Sequence, residues 1–278
     1  MTTLDMKNPF NAPVYHEEIV SSTMDVSRQL AARGAQSGTV ITADFQEAGR
    51  GRIRGRIWEM EKGAGLCFTV LLRYSRIEDI PAALTLRAGL AVSLAIEDCV
   101  MEASLSKEKS QGMIKIKWPN DIMIGGRKAA GILCEANEEV VHIGVGINVT
   151  QKEFPVHLRE KAANVMANND QFILNGGESF NNVRFYLLEK ILNEIYKELD
   201  AEESGKDTGG ESWKRRIERR LYKKGEQVLF IEGAAGSGRE VRGRLAGIGD
   251  GGELIILPEN ENKERSFITG ELVLERGT

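Results

Sequence analysis

At 278 residues the chain has room for one large domain or two unequal ones, and 41% hydrophobic with 28% charged residues is an ordinary globular composition that can bury a core without staples. The formal charge of −4 argues against binding nucleic acid by bulk charge, yet four arginines fall between Arg50 and Arg56. Cys67, Cys99 and Cys134 form no CxxC pair and His16, His142 and His157 are scattered, which predicts a reducing, cytoplasmic setting without structural zinc or disulfides.

The N-terminus lacks the basic start and apolar run of a signal peptide. Ser22-Thr23-Met24-Asp25 has capping-box spacing and predicts a helix capped by Ser22 that runs to Ala32 and ends at Gly34. Thr39–Ala43 reads as a strand, Gln46–Trp58 as a Gly/Arg loop and Leu66–Leu72 as a buried strand. Pro81 can open a helix to about Met101, and residues 104–112 are a polar connector. The longest uncharged stretch of that helix, Ala88–Ile96, is short for a membrane span, so no membrane is expected.

Met113–Trp118 alternates Lys115 and Lys117 with Ile114, Ile116 and Trp118, as a strand does, and Trp118-Pro119-Asn120-Asp121 signals a turn. Ile122–Ile124, Gly125-Gly126 and Arg127–Glu135 read as a hairpin, and Glu139–Val149 as the next strand. Apolar residues at 183, 187, 188, 191, 192, 195 and 199 predict an amphipathic helix over Phe180–Leu199. A polar linker at 201–210 and a basic helix near Trp213–Tyr222 follow. From Glu226 onward, short strands between Gly-rich turns predict a small β-barrel. The expected domains are therefore 1–223 and 224–278.

Three segments carry chemistry. In Gln46–Trp58, alternating glycines let backbone N–H groups approach an anion, and guanidinium groups add donors for phosphate or carboxylate. A solvated basic loop or an RNA-contacting Arg/Gly segment is the plainer alternative. Lys128 would share a strand face with Ala130, Ile132 and Cys134, either to grip a carboxylate or phosphate or to reach back to solvent. Asn120 and Asp121 could ligate Mg²⁺ or orient a polar substrate, against plain turn chemistry. Gly144-Val145-Gly146 lacks a third glycine and a following helix, and Gly233–Glu240 lacks the Lys-Ser/Thr of a P-loop; each reads as a tight turn.

Taken together, Ser22-Thr23, QEAGRGR at 46–52, KWPNDIMIGGRKAAGIL at 117–133 and GVGINV at 144–149 resemble biotin protein ligases over about residues 15–200. FITGELVLE at 267–275 is similar to that family's C-terminal barrel. The resemblance implies an α+β fold, a class II synthetase-like mixed sheet with helices followed by an SH3-like barrel. It implies ATP- and Mg²⁺-dependent attachment of biotin to a lysine of a biotin carboxyl carrier domain through biotinyl-5′-AMP. Biotin contacts would fall on Ser22, Thr23, Met24, Gln46, Arg50, Gly51, Arg52 and Lys128, and nucleotide contacts on Gly49, Arg50, Asn120 and Asn148. Lys128, Arg52 and Asp121 would be catalytic, with Asp121 also near magnesium and Trp58 near the adenine or in the core.

GRGRIRGRIW has one residue more than the family pattern between Arg52 and Gly55, and Met24 replaces the family's usual Asn. Arg54 and Arg56 therefore carry no assigned contact. A lipoate- or octanoate-protein ligase of the same fold is the alternative reading. Only 21 residues precede Ser22, so no DNA-binding domain and no DNA partner are expected, while a homodimer stays open.

Overall fold

In the computed structural model, which describes residues 1–53, 55–103, 113–166, 183–199, 211–233 and 238–273, the apolar runs of the first half pair into one mixed sheet. Its strands are β1 (Thr2–Thr3), β2 (Val14–Val20), β3 (Val40–Gln46), β4 (Gly65–Arg73), β5 (Ile114–Lys117), β6 (Asp121–Ile124), β7 (Arg127–Asn137) and β8 (Val140–Asn148). The spatial order is β1-β2-β3-β4-β8-β7-β6-β5, with β2 and β3 parallel and every other pair antiparallel. The expected strand near 139–149 and the hairpin at Gly125-Gly126 are both present. Both hairpin glycines have positive φ, 55° and 78°, as a type I′ turn requires.

Helix α1 (Thr23–Ala32) supplies the crossover between the parallel strands and packs on β3, β4 and β8. Its Ser22 cap is as predicted, with Oγ accepting from the Met24 N–H at 3.3 Å. Asp25 does not complete a capping box; its carboxylate accepts from Arg28 and Arg50. On the opposite face lie α2 (Leu84–Ala103) and α3 (Val183–Leu199), packed on each other. The α3 stripe is buried at Leu187, Leu188, Ile191, Leu192, Ile195 and Leu199, as its spacing predicts.

Pro81 does not open α2. Ala83 has φ +55°, a left-handed residue that cannot belong to a right-handed helix, and the helix starts one residue later. The segment Ile77–Glu102 is long and apolar enough to cross a membrane by length and composition, but 56% of its apolar window is buried inside the fold, where α2 packs on β5, β6 and β7.

Two glycine and strand readings are corrected. Gly144 and Gly146 are not in a turn; they lie within β8, paired with Leu133 and Gly131 of β7. Lys128 does not share the Ala130–Ile132 face, because the β6–β7 register shifts, from Ile122↔Ala130 to Met123↔Lys128. The extra residue, Ala129, flips the parity of the strand start. Lys128 is thereby turned to the face of Gly131, whose Cα lies under its ammonium, while Ile132 points at α2 near Gly89.

Short helix α4 (Trp213–Arg220) leads to a second sheet of β9 (Gln227–Glu232), β10 (Glu240–Ile248), β11 (Leu254–Pro258), β12 (Arg265–Phe267) and β13 (Gly270–Leu272). The order is β12-β11-β10-β9-β13, antiparallel throughout. Among the described residues its two edges, β12 and β13, do not pair, so the sheet is open where a closed barrel was expected. The glycine turn at 234–237, the linker at 201–210 and Arg54 lie outside the described residues. One apolar core runs through both sheets, joined where Trp118 meets Phe230 edge-on at 5.9 Å and donates from Nε1 to the Gly252 carbonyl at 2.9 Å.

Buried His142 on β8 is hydrogen-bonded through Nδ1 to Ser27 Oγ at 2.7 Å. Burial pushes its pKa below the ordinary 6.5, helped by the charges of Arg28 and Arg73 and opposed by Glu135. The unfolded chain therefore takes up a proton at a higher pH than the native one, and stability falls as pH drops below about 6.5. We expect His142→Gln to flatten this part of the acid limb in thermal melts between pH 7 and 5. An unchanged slope would remove His142 as its source.

Candidate functional site

The N-terminus of α1, the ends of β3 and β6, and the middles of β7 and β8 converge on one cleft of about 60 Å³. Ser22, Thr23, Met24, Gln46, Arg50, Gly51, Arg52, Trp58, Asn120 and Lys128 all line it. All eight residues that the resemblance assigns to biotin, and two of the four it assigns to nucleotide (Arg50, counted in both sets, and Asn120), are thus brought together from separate elements. Gly49, Asp121 and Asn148 stand just outside the lining.

The first wall is a polar network at the start of α1. Gln46 Oε1 accepts from the Thr23 N–H at 2.8 Å and from Thr23 Oγ1 at 3.1 Å, and Thr69 Oγ1 donates to Thr23 Oγ1 at 2.8 Å. Free N–H groups of a helix start favour an anion or a polar acceptor here.

The second wall is the Gly/Arg loop, which folds back on itself. Trp58 N–H donates to Gly49 C=O and Gly51 N–H donates to Arg56 C=O, both at 2.9 Å. At Gly49 a Cβ would fall 3.1 Å from Gln46 Nε2 and from the Trp58 carbonyl, so the close fold-back favours glycine. Arg50 pairs with Asp25 at 2.6 Å. Arg52 donates to the Gly270 carbonyl of β13 at 2.8 Å, and Arg56 makes a bidentate pair with Glu271 at 2.8 and 2.9 Å. The second sheet therefore holds the loop, a contact over more than 200 residues of sequence that no local pattern announces.

The third wall carries Lys128. Its ammonium is 2.6 Å from Asp121 Oδ1 and 5.6 Å from the Trp58 ring centre. Its backbone is clamped on both sides: its N–H donates to Lys161 C=O at 2.7 Å and its C=O accepts from Ala163 N–H at 2.9 Å. Asn148, expected at the nucleotide, donates from its buried amide to the Lys128 and Ala163 carbonyls, at 3.4 and 3.3 Å. Asn120 is held to β7 by reciprocal bonds with Ile132, each 2.9 Å.

The floor was not anticipated. Gly131 and Gly146 are register partners and, with Gly144, leave a bare patch on the sheet. Trp58 lies flat on it: a Cβ at Gly146 would be 2.6 Å from Trp58 Cε2, and one at Gly144 would be 2.8 Å from Met24 Sδ. The i, i+2 spacing of Gly144 and Gly146 was the available signal, since two residues apart on a strand means one face. The Trp58 Nε1 proton is buried and, among the described residues, has no hydrogen-bond acceptor. Cations and acceptors converging on one cleft are chemically suited to an acid and a phosphate.

Comparison with known proteins agrees with this geometry. Residues 17–150 match the Biotin/lipoate A/B protein ligase family. The bifunctional ligase/repressor BirA of Bacillus subtilis is 37% identical over 159 residues, which is 55% of this chain and 45% of that protein. The biotin–[acetyl-CoA-carboxylase] ligase of Mycobacterium tuberculosis is 36% identical over 138 residues, 48% of this chain and 49% of that protein. The matched part of the chain thus spans about half the length of these curated relatives. Among solved structures, the biotin protein ligase of Aquifex aeolicus in complex with biotin and ATP superposes with a TM-score of 0.69 at 26% identity, covering 95% of this chain and 99% of that one. From sequence motifs, cleft and fold alike, residues 17–150 are similar to the biotin/lipoate A/B protein ligase family.

Proposed function

We propose that the protein joins biotin to a lysine of a biotin carboxyl carrier domain at the expense of ATP, by way of biotinyl-5′-AMP. The observation that carries this reading is the convergence of the arginine loop, Lys128 and the α1 start on one glycine-floored cleft. In the first step a carboxylate oxygen of biotin attacks the α-phosphorus of ATP; the acyl–phosphate bond forms and the bond to pyrophosphate breaks. In the second the carrier lysine amine attacks the acyl carbon, AMP leaves and the nitrogen loses a proton.

Both steps shift negative charge along phosphate oxygens, so positioning and fixed positive charge are the protein's main contributions. Lys128 reaches the cleft from a backbone fixed on both sides and would bridge the biotin carboxylate and the α-phosphate. Arg50, Gly51 and Arg52 would close over the adenylate, with Ser22, Thr23, Met24 and Gln46 on the biotin side. Asn120 and Gly49 would face the nucleotide. Asn148 supports this set from behind, through the Lys128 carbonyl. Asp121 would serve as acceptor for the incoming amine.

Magnesium commonly binds through one or two carboxylates, with phosphate oxygens and waters completing its shell. Asp121 is one such carboxylate beside the cleft; it would hold an ion carried in by the nucleotide only by giving up or sharing its pair with Lys128. When bound, magnesium would offset phosphate charge.

We read residues 1–223 as the ligase domain, with a class II synthetase-like sheet, and 224–278 as an SH3-like unit whose open sheet is the described part of a barrel. A cytoplasmic setting accords with three unpaired thiols, two of them buried.

Mass spectrometry tests the reading directly. Incubated with Mg-ATP, biotin and an apo carrier domain, the protein is expected to raise the carrier's mass by one biotinyl group. A mass gain with lipoate or octanoate but none with biotin would replace this function by that of the family's other branch.

A further inference from the structure

Asp25 has no assigned role in the cleft, yet two arginines converge on it. It stands in the first turn of α1, next to Thr23 and Met24 of the cleft wall, where a helix start favours a carboxylate. Its Oδ1 accepts from Arg28 at 2.5 Å and from Arg50 of the Gly/Arg loop at 2.6 Å. Arg28 also pairs with Glu135 of β7. Direct ion pairs therefore run from Glu135 through Arg28 and Asp25 to Arg50, from β7 over α1 to the loop.

Three arginines tie the loop to its surroundings by side-chain bonds among the described residues. Arg52 and Arg56 reach β13, and Arg50 reaches α1. The backbone on either side of Arg50 is already fixed, because Gly49 C=O and Gly51 N–H bond to Trp58 and Arg56. What Asp25 sets is the direction of one side chain. Arg50 lines the cleft while paired, and the pair engages only Nη2 of a guanidinium with five N–H donors. Its other donors have no partner among the described residues.

Asp25 and Arg50 are 34% and 46% exposed, and an exposed pair shifts a local equilibrium by no more than about fivefold. Arg28 brings this pair toward that ceiling. It holds the carboxylate before Arg50 arrives, so less rotamer freedom is lost when the pair forms. A shift of this size is too small to hold the fold together and large enough to aim one side chain.

We propose that Asp25 is a positioning residue, which holds Arg50 at the α1 side of the cleft with its open donors available to the carboxylate of the bound acid. The consequence for biotin rests on the ligase reading above; the orientation of Arg50 does not.

The first test is limited proteolysis of the full chain, without substrates, by an arginine-specific protease, with each cut identified by mass. The measure is cleavage after Arg50 relative to cleavage after Arg52 and Arg56, since loosening of the whole loop raises all three cuts alike. Asp25→Asn is expected to raise this ratio about threefold. Asp25→Glu, which keeps the charge, is expected to stay near wild type. The second test is steady-state pyrophosphate release. Asp25→Asn should raise the KM for biotin about fivefold and leave kcat and the KM for ATP within about twofold, because a guanidinium already in place acts on binding. Added to Arg50→Ala, it should change the KM for biotin no further.

An unchanged cleavage ratio in Asp25→Asn overturns the proposal, as does an Asp25→Glu protein as open as the Asn variant. So does a lower KM for biotin in Asp25→Asn, which would mean that the carboxylate competes with the substrate for Arg50. A double variant whose effect is the product of the singles overturns it too. If wild type releases no pyrophosphate with biotin while the cleavage pattern holds, the ligase reading fails and the tether stands.

Discussion

Lys128→Ala is expected to lower the rate of the proposed biotinyl-adenylate formation by at least about 100-fold, the usual cost of deleting one charge-stabilising donor from an acyl- or phosphoryl-transfer site. The fold should survive. Lys128 is partly exposed, and its backbone bonds to Lys161 and Ala163 do not depend on the side chain. The loss should fall mainly on turnover, because charge on the phosphate develops after binding. Asp121 would lose its 2.6 Å partner, so part of the loss comes from a carboxylate left uncompensated beside the phosphate path. Stopped-flow or radiolabelled pyrophosphate release gives the measurement. Wild-type turnover in Lys128→Ala would show that the cleft is not where the chemistry occurs.

The largest stability effect is expected at Phe230→Ala, about 3–5 kcal/mol, the range for removing a fully buried phenylalanine. Phe230 is completely buried between Trp118 of the first sheet and Phe267 of the second, with ring centres at 5.9 and 4.8 Å. Its ring also backs β13, since a Cβ on Gly270 would lie 2.1 Å from Phe230 Cζ. The cavity would therefore loosen the strand that receives Arg52 and Arg56. Denaturant melts should show a lower midpoint, and the arginine loop should become more open to protease at the same time. A destabilised protein whose loop stays closed would separate the two sheets energetically and contradict the shared core.

Much of the fold is local chemistry and could be read from the sequence. The Ser22 cap, the Gly125-Gly126 hairpin, the α3 stripe and the β4 and β8 runs each depend on residues within a few positions of one another. The failures have a common cause in contacts between distant segments. Strand β2 (VYHEEIV) has two adjacent glutamates and little alternation, and it is a strand because it pairs with β3 and β1. The start of α2 was misplaced because Pro81 is permissive at a helix start while the left-handed Ala83 is decisive, and nothing in an alanine announces a left-handed φ.

The site was legible in part for the same reason. The arginine loop and Lys128 carry charge in unusual places and draw attention as sequence. The bulge at Ala129, which turns Lys128 into the cleft, is a register event between strands, invisible in either strand alone. Asn148 is expected at the nucleotide, and its amide nitrogen bonds to backbone carbonyls brought in by residues 128 and 163, a tie between distant segments that no local pattern announces.

The glycine floor sets a limit on how this protein can be made more robust. Glycine in a strand interior weakens the sheet, and Gly131, Gly144 and Gly146 concentrate that weakness in two adjacent strands at the molecule's centre. A selection for thermal resistance alone would favour larger residues at these positions, wherever the neighbouring Trp58 and Met24 could yield. Each gain in strand stability would raise the floor and shrink the seat beneath Trp58. Stability and function therefore compete at three backbone positions that bear no side chain at all, and the sheet's weakest stretch is the part that the cleft requires.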